Sequence, residues 1–81
     1  MEKDLAPKVD FNKVVTIRYK DPEEPPVVVC ICENKPNTSD GIVYISPQAP
    51  VAKAILNRFE GEEVNVLTVD GILKVEIMQI V

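Results

Sequence analysis

Residues able to do chemistry are few in this chain, and they fall in three places. Glu60, Glu62 and Glu63 surround one glycine, a spacing that gathers the oxygen ligands a hard divalent cation prefers. Cys30 and Cys32 stand one residue apart, which in an extended strand turns both thiols to the same face. The third place, ISPQAPVAKAIL over residues 45–56, sets two prolines three apart before a run of small apolar residues. It holds one serine and one lysine, Ser46 and Lys53, and nothing that acts as a strong acid, base or nucleophile.

None of the three reads as a catalytic or metal centre. The chain has no histidine, which removes both the commonest general base near neutral pH and the commonest metal ligand. A zinc site calls for more thiols or imidazoles than Cys30 and Cys32 supply, and they read as small buried hydrophobes of a reduced protein. Three acids around a glycine read as a solvated turn. No catalytic residue, metal site or cofactor is therefore expected. The ISPQAP stretch is expected to be a docking surface, because prolines have little conformational entropy left to lose on binding. The plainer role for the same prolines is to start a helix.

These residues sit in 81 positions, enough for one small core. A core of that size leaves about 3–5 kcal/mol of net stability, so burial must be efficient. Hydrophobic residues make up 46% of the chain, with Val and Ile prominent and no Trp, which predicts an aliphatic core of strands. The net charge of −4 argues against direct nucleic-acid binding, which needs a basic face to displace counterions from phosphates. No apolar run approaches the ~20 residues of a membrane span, and MEKDLAPKVD lacks a signal-peptide centre. A soluble cytoplasmic protein is expected.

The elements that must position these residues follow from periodicity. Residues 1–11 read as a flexible leader. In KVVTIRYK, Val15, Ile17 and Tyr19 share one face and Thr16, Arg18 and Lys20 the other, the pattern of a half-buried strand. DPEEPP reads as a hairpin connection. PVVVCICE is apolar on both faces in its middle, which predicts a central strand. NKPNTSDG is a loop, and IVYIS a short third strand. From Pro50, the residues Val51, Ala52, Ile55, Leu56 and Phe59 make one stripe at helical spacing, predicting a helix of roughly ten residues ended by Gly61. EEVNVLTV and ILKVEIMQIV flank Asp70-Gly71, a strong hairpin signal, with Leu73, Val75, Ile77 and Val81 on one face of the last strand. The expected fold is α+β, an antiparallel sheet of about five strands packed on one short helix.

From Gly41 to Val81 this order resembles the C-terminal domain of the bacterial Gre transcription elongation factors. That domain shows a short strand, an SP segment, a small-residue helix, a glycine turn, a DEVEV-like strand, a glycine hairpin and a closing strand. Here the counterparts are IVYIS, Gln48-Ala49-Pro50, PVAKAIL, Gly61, EEVNV, Asp70-Gly71 and the final strand. Ala49 stands where the family has serine, and Ser46-Pro47 lies just upstream. The resemblance implies an FKBP-like fold over residues 12–81. It also implies a non-enzymatic module that docks on RNA polymerase, on the rim coiled coil of the largest subunit near the secondary channel. The implied contact residues are Ser46, Pro47, Gln48, Ala49, Pro50 and Lys53.

Gre factors also carry an N-terminal helical hairpin whose acidic tip reaches the polymerase active site. About a dozen residues precede the first strand here, and as one helix they would span roughly 18 Å with no return arm. Transcript cleavage by this chain is accordingly not expected. Two other readings stand beside docking on the polymerase. One is a general protein-interaction domain. The other, from the FKBP-like fold, is a prolyl isomerase, which needs an aromatic-lined pocket, and Phe11, Tyr19, Tyr44 and Phe59 are all the aromatic residues the chain has.

Overall fold

In KVVTIRYK the alternation resolves as expected. β1 (Val14–Tyr19) turns Val15 and Ile17 into the core and Thr16 and Arg18 away from it. The computed structural model describes residues 7–20, 24–34 and 40–81. The remaining elements are β2 (Val27–Ile31), β3 (Val43–Ile45), α1 (Pro50–Ile55), β4 (Glu63–Thr68) and β5 (Gly71–Ile80). They form one five-stranded sheet in the order β3-β2-β1-β5-β4 with the helix packed against it, the expected α+β architecture. Its core is aliphatic, built on Val15, Ile17, Val29, Ile31, Ala52, Ile55, Val66, Val75, Ile77 and Ile80.

The sheet is mixed where a wholly antiparallel one was expected. β1–β2, β1–β5 and β4–β5 pair antiparallel, but β3 runs parallel to β2, with Val29 opposite Val43 and Ile31 opposite Ile45. A tight hairpin can join only antiparallel neighbours, and the connection over residues 32–42 is long enough to return the chain to the same end of the sheet. β2 is flanked on both sides, as its apolar faces predict, although the middle strand is β1. The DPEEPP and NKPNTSDG connections lie partly outside the described residues, at 21–23 and 35–39.

Two expectations fail together, for one reason. The second half of the presumed leader is structural: Val9 is fully buried. Its N–H donates to the Arg58 carbonyl at 2.8 Å, its carbonyl accepts from Asn57 N–H at 2.8 Å, and Lys8 bridges Phe59. Pairing with this segment draws residues 57–59 out of the helix. α1 is therefore six residues long rather than about ten, and the left-handed residue that ends it is Asn57 (φ 67°), while Gly61 (φ 88°) turns the chain later, ahead of β4. Asparagine tolerates that conformation better than other side chains. Phe59 leaves the helical stripe and is exposed. Residues 1–6 of the leader lie outside the described residues.

A third correction concerns the last strand. The register of β1 against β5 shifts between Thr16 and Ile17, so that Ile77 faces Ile17 but Gln79 faces Thr16. Met78 is the extra residue of a β-bulge, and beyond it the inward parity changes. Ile80 is buried in consequence, and Val81, expected on the inner face, is 70% exposed.

Candidate docking site

The segment between β3 and α1 is built as a stiff turn. Gln48 N–H donates to Ser46 Oγ at 3.1 Å and Ala49 N–H to the Ser46 carbonyl at 2.9 Å, so one serine closes the turn from both its side chain and its backbone. Such local bonds hold a loop in shape without tertiary support. Ala49 follows in extended conformation, Pro50 opens the helix, and Lys53 N–H donates to the Ala49 carbonyl at 3.0 Å. Proline suits this place because the first helical N–H has no intrahelical acceptor.

Ser46, Gln48, Pro50 and Lys53 are exposed, and Pro47 and Ala49 are half-buried. Gln48, Pro50 and Lys53 line a groove of about 410 Å³ together with Ala54, Asn65 and Leu67. The other three residues singled out from the sequence do not line it. Ser46 holds the turn, Ala49 packs against the core, and Pro47 sits between them. Sequence reasoning missed the opposite wall. Asn65 and Leu67 lie on the polar side of β4, opposite buried Val64 and Val66, and a leucine on that side of an alternating strand is the local signal that could have marked it.

The other candidate chemistry is absorbed by the fold. The Glu60 carboxylate accepts Ile80 N–H at 2.9 Å beside the bulge, and Glu62 accepts Phe59 N–H at 2.7 Å. Glu62 also approaches Arg58 at 3.7 Å, and Glu63 approaches Lys20 at 3.9 Å. The three carboxylates thus serve separate partners, and no group of three or more metal-ligating side chains occurs among the described residues. Cys30 and Cys32 are both free thiols. Burial pushes the Cys30 thiol above its ordinary value, with nearby Cys32 and Asp40 adding to the effect, so it stays protonated and is a poor nucleophile. No helix among the described residues is long and apolar enough to cross a membrane.

A family model, the C-terminal domain of the transcription elongation factors GreA and GreB, matches residues 4–81. The chain belongs to that family. No curated protein matches the sequence. Among solved structures, GreA factor homolog 1 (Gfh1) of Thermus thermophilus superposes with a TM-score of 0.72 at 21% identity, over 100% of this chain and 53% of that one. Gfh1 of Thermus aquaticus gives 0.70 at 19% identity, over 89% and 46%. A GreA/GreB factor from Nitrosomonas europaea gives 0.62 at 27% identity, over 89% and 59%. The chain spans about half the length of these solved relatives. The family match includes residues before position 12, in keeping with the burial of Val9. In this Gre C-terminal domain Ala49-Pro50 stands at the junction of turn and helix.

Proposed function

We propose that this Gre C-terminal domain modulates transcription elongation by docking on RNA polymerase, at the rim coiled coil of the largest subunit near the secondary channel. The docking residues are Gln48, Pro50 and Lys53, with Ser46, Pro47 and Ala49 shaping the turn that presents them. The observation that carries the reading is the groove itself. A hydrogen-bonded turn and a proline-started helix hold its wall rigid, so little entropy is lost when a partner seats on it. The domain is read as non-enzymatic. The groove is lined by Gln48, Asn65 and Lys53 as its polar side chains, with no acid or thiol beside them, and transcript cleavage is no part of its action.

The prolyl isomerase reading finds no support in the placement of the aromatics. Phe11 borders a separate depression with Cys32 and Asn34, Tyr44 donates to Asp40 at 2.7 Å, and neither Tyr19 nor Phe59 lines the groove.

Pro50→Asp tests the docking. An acid in the first helical turn is compatible with the helix dipole, so the fold survives. Affinity for purified bacterial core RNA polymerase is expected to fall at least about tenfold, as for loss of a central contact. Binding equal to wild type would remove the docking assignment. In the same preparation, added domain is expected to leave the RNA of stalled elongation complexes uncut.

A further inference from the structure

The groove has an apolar continuation that none of the described residues covers. Leu67, on its far wall, is 72% exposed, and its cross-strand partner Ile72 is 63% exposed. Directly opposed residues on one face of an antiparallel pair bring their β-carbons within about 5 Å, so the two make a continuous pad. Val69, at the hairpin tip beside them, is wholly exposed.

The tip is held firmly. Thr68 Oγ1 donates to the Gly71 carbonyl at 2.8 Å and accepts Asp70 N–H at 3.2 Å. β-branched and leucine side chains at a fixed, solvated hairpin end contribute nothing to this core and favour association.

The charges around the pad point to its occupant. Lys53 flanks Leu67 from the helix, and Lys74 flanks it from β5, opposite Asn65. Among the described residues neither lysine has an ion pair, in a chain whose net charge is −4. The six groove residues include no acid. An apolar strip bordered by two unmatched cations complements an apolar strip bordered by carboxylates.

We propose that the docking surface extends past α1 onto the β4–β5 hairpin, and that its occupant is a polymerase surface presenting an apolar strip bordered by carboxylates. The inference rests on the polymerase reading above and adds the hairpin pad to it. Leu67 and Ile72 are the apolar anchors, and Lys53 and Lys74 set the orientation.

The test measures binding of purified bacterial core RNA polymerase to the labelled domain and to three variants: L67S/I72S, K53E/K74E and Pro50→Asp. Thermal melting of each variant, and sedimentation of wild type and L67S/I72S, accompany the measurement. The inference expects both double variants to melt like wild type and to bind at least about tenfold more weakly. It also expects the K53E/K74E deficit to shrink as salt rises, because exposed charges are screened. If Pro50→Asp weakens binding but L67S/I72S does not, the hairpin extension is overturned and docking at the turn stands. If L67S/I72S weakens binding and Pro50→Asp does not, the hairpin alone is the dock and the turn assignment falls. No wild-type binding removes both. A wild-type dimer that L67S/I72S converts to monomer assigns the pad to a second copy of this chain and overturns the proposal.

Discussion

Two stretches of the same sheet face handle their charges in opposite ways. At its middle, Glu76 sits between Lys20 at 3.3 Å and Arg18 at 3.7 Å, and Lys20 also reaches Glu63 at 3.9 Å. Two cations meet two anions across three adjacent strands, and each side chain is shielded by its neighbours. A few residues along β4 and β5, Lys74 has no ion pair among the described residues and stands beside exposed Leu67 and Ile72. Both stretches would look alike in composition, each a mixture of charged and branched residues. The difference is whether their needs are met inside the molecule. A patch that satisfies itself stabilises the fold and has little to offer a partner, whereas one that leaves apolar and cationic groups unmet is available for binding.

The contrast is tested most severely where the fold itself depends on a residue that carries no visible signal. Val9→Ala removes two buried methyl groups from the core and is expected to cost about 2 kcal/mol. Each kcal/mol moves the melting temperature of a domain this size by about 4–8 °C, so a calorimetric scan reads the loss directly. Because Val9 pairs with Asn57 and Arg58, just past α1, polymerase binding is expected to weaken only in step with the unfolded fraction. A variant that stayed folded yet lost binding would move Val9 from core to interface.

Glu76→Gln probes the satisfied patch. It removes the anion shared by Arg18 and Lys20 while keeping shape. Pairs this exposed are worth about 0.2–1 kcal/mol each, so urea titration should show a small destabilisation at low salt that narrows at molar salt. Polymerase binding is expected to stay at the wild-type level. Loss of binding here would erase the distinction between the two stretches and extend the interface across the sheet.

What the sequence showed of these regions depended on how local the cause was. Strand alternation in KVVTIRYK and EVNVLT is a two-residue pattern, and both strands fold as read. The start of the helix at Pro50 is equally local. Its end is not, because it is decided by Val9, some fifty positions earlier, and one valine among MEKDLAPKVD has no periodicity to betray it. The bulge at Met78 has no glycine or proline to mark it, so nothing local in the sequence moves Val81 off the inner face. The candidate site divides along the same line. Gln48, Pro50 and Lys53 lie in one continuous segment, but Asn65 and Leu67 join them only because β4 is laid beside α1.

The smallest expected effect belongs to Cys30, on the same side of the sheet as the paired charges but further along β2. Its ionisation is raised above the ordinary thiol value of 9.0, chiefly by burial. The folded state therefore holds the proton more tightly than the unfolded state does. Below pH 9 both states keep the proton and stability is flat with respect to this group. As pH rises past that point the unfolded thiol ionises first, the unfolded state then binds fewer protons, and stability falls until the folded-state value is passed. Cys30→Ser, whose hydroxyl does not titrate in this range, is expected to flatten the decline measured by denaturant titration between neutral and alkaline pH. Alkylation gives an independent reading: mass spectrometry of native protein should find Cys30 modified slowly, and rapidly once urea is added. Fast native alkylation at Cys30 would mean that β2 opens readily between β1 and β3, and the sheet would then be a less rigid support for its binding end than the contrast requires.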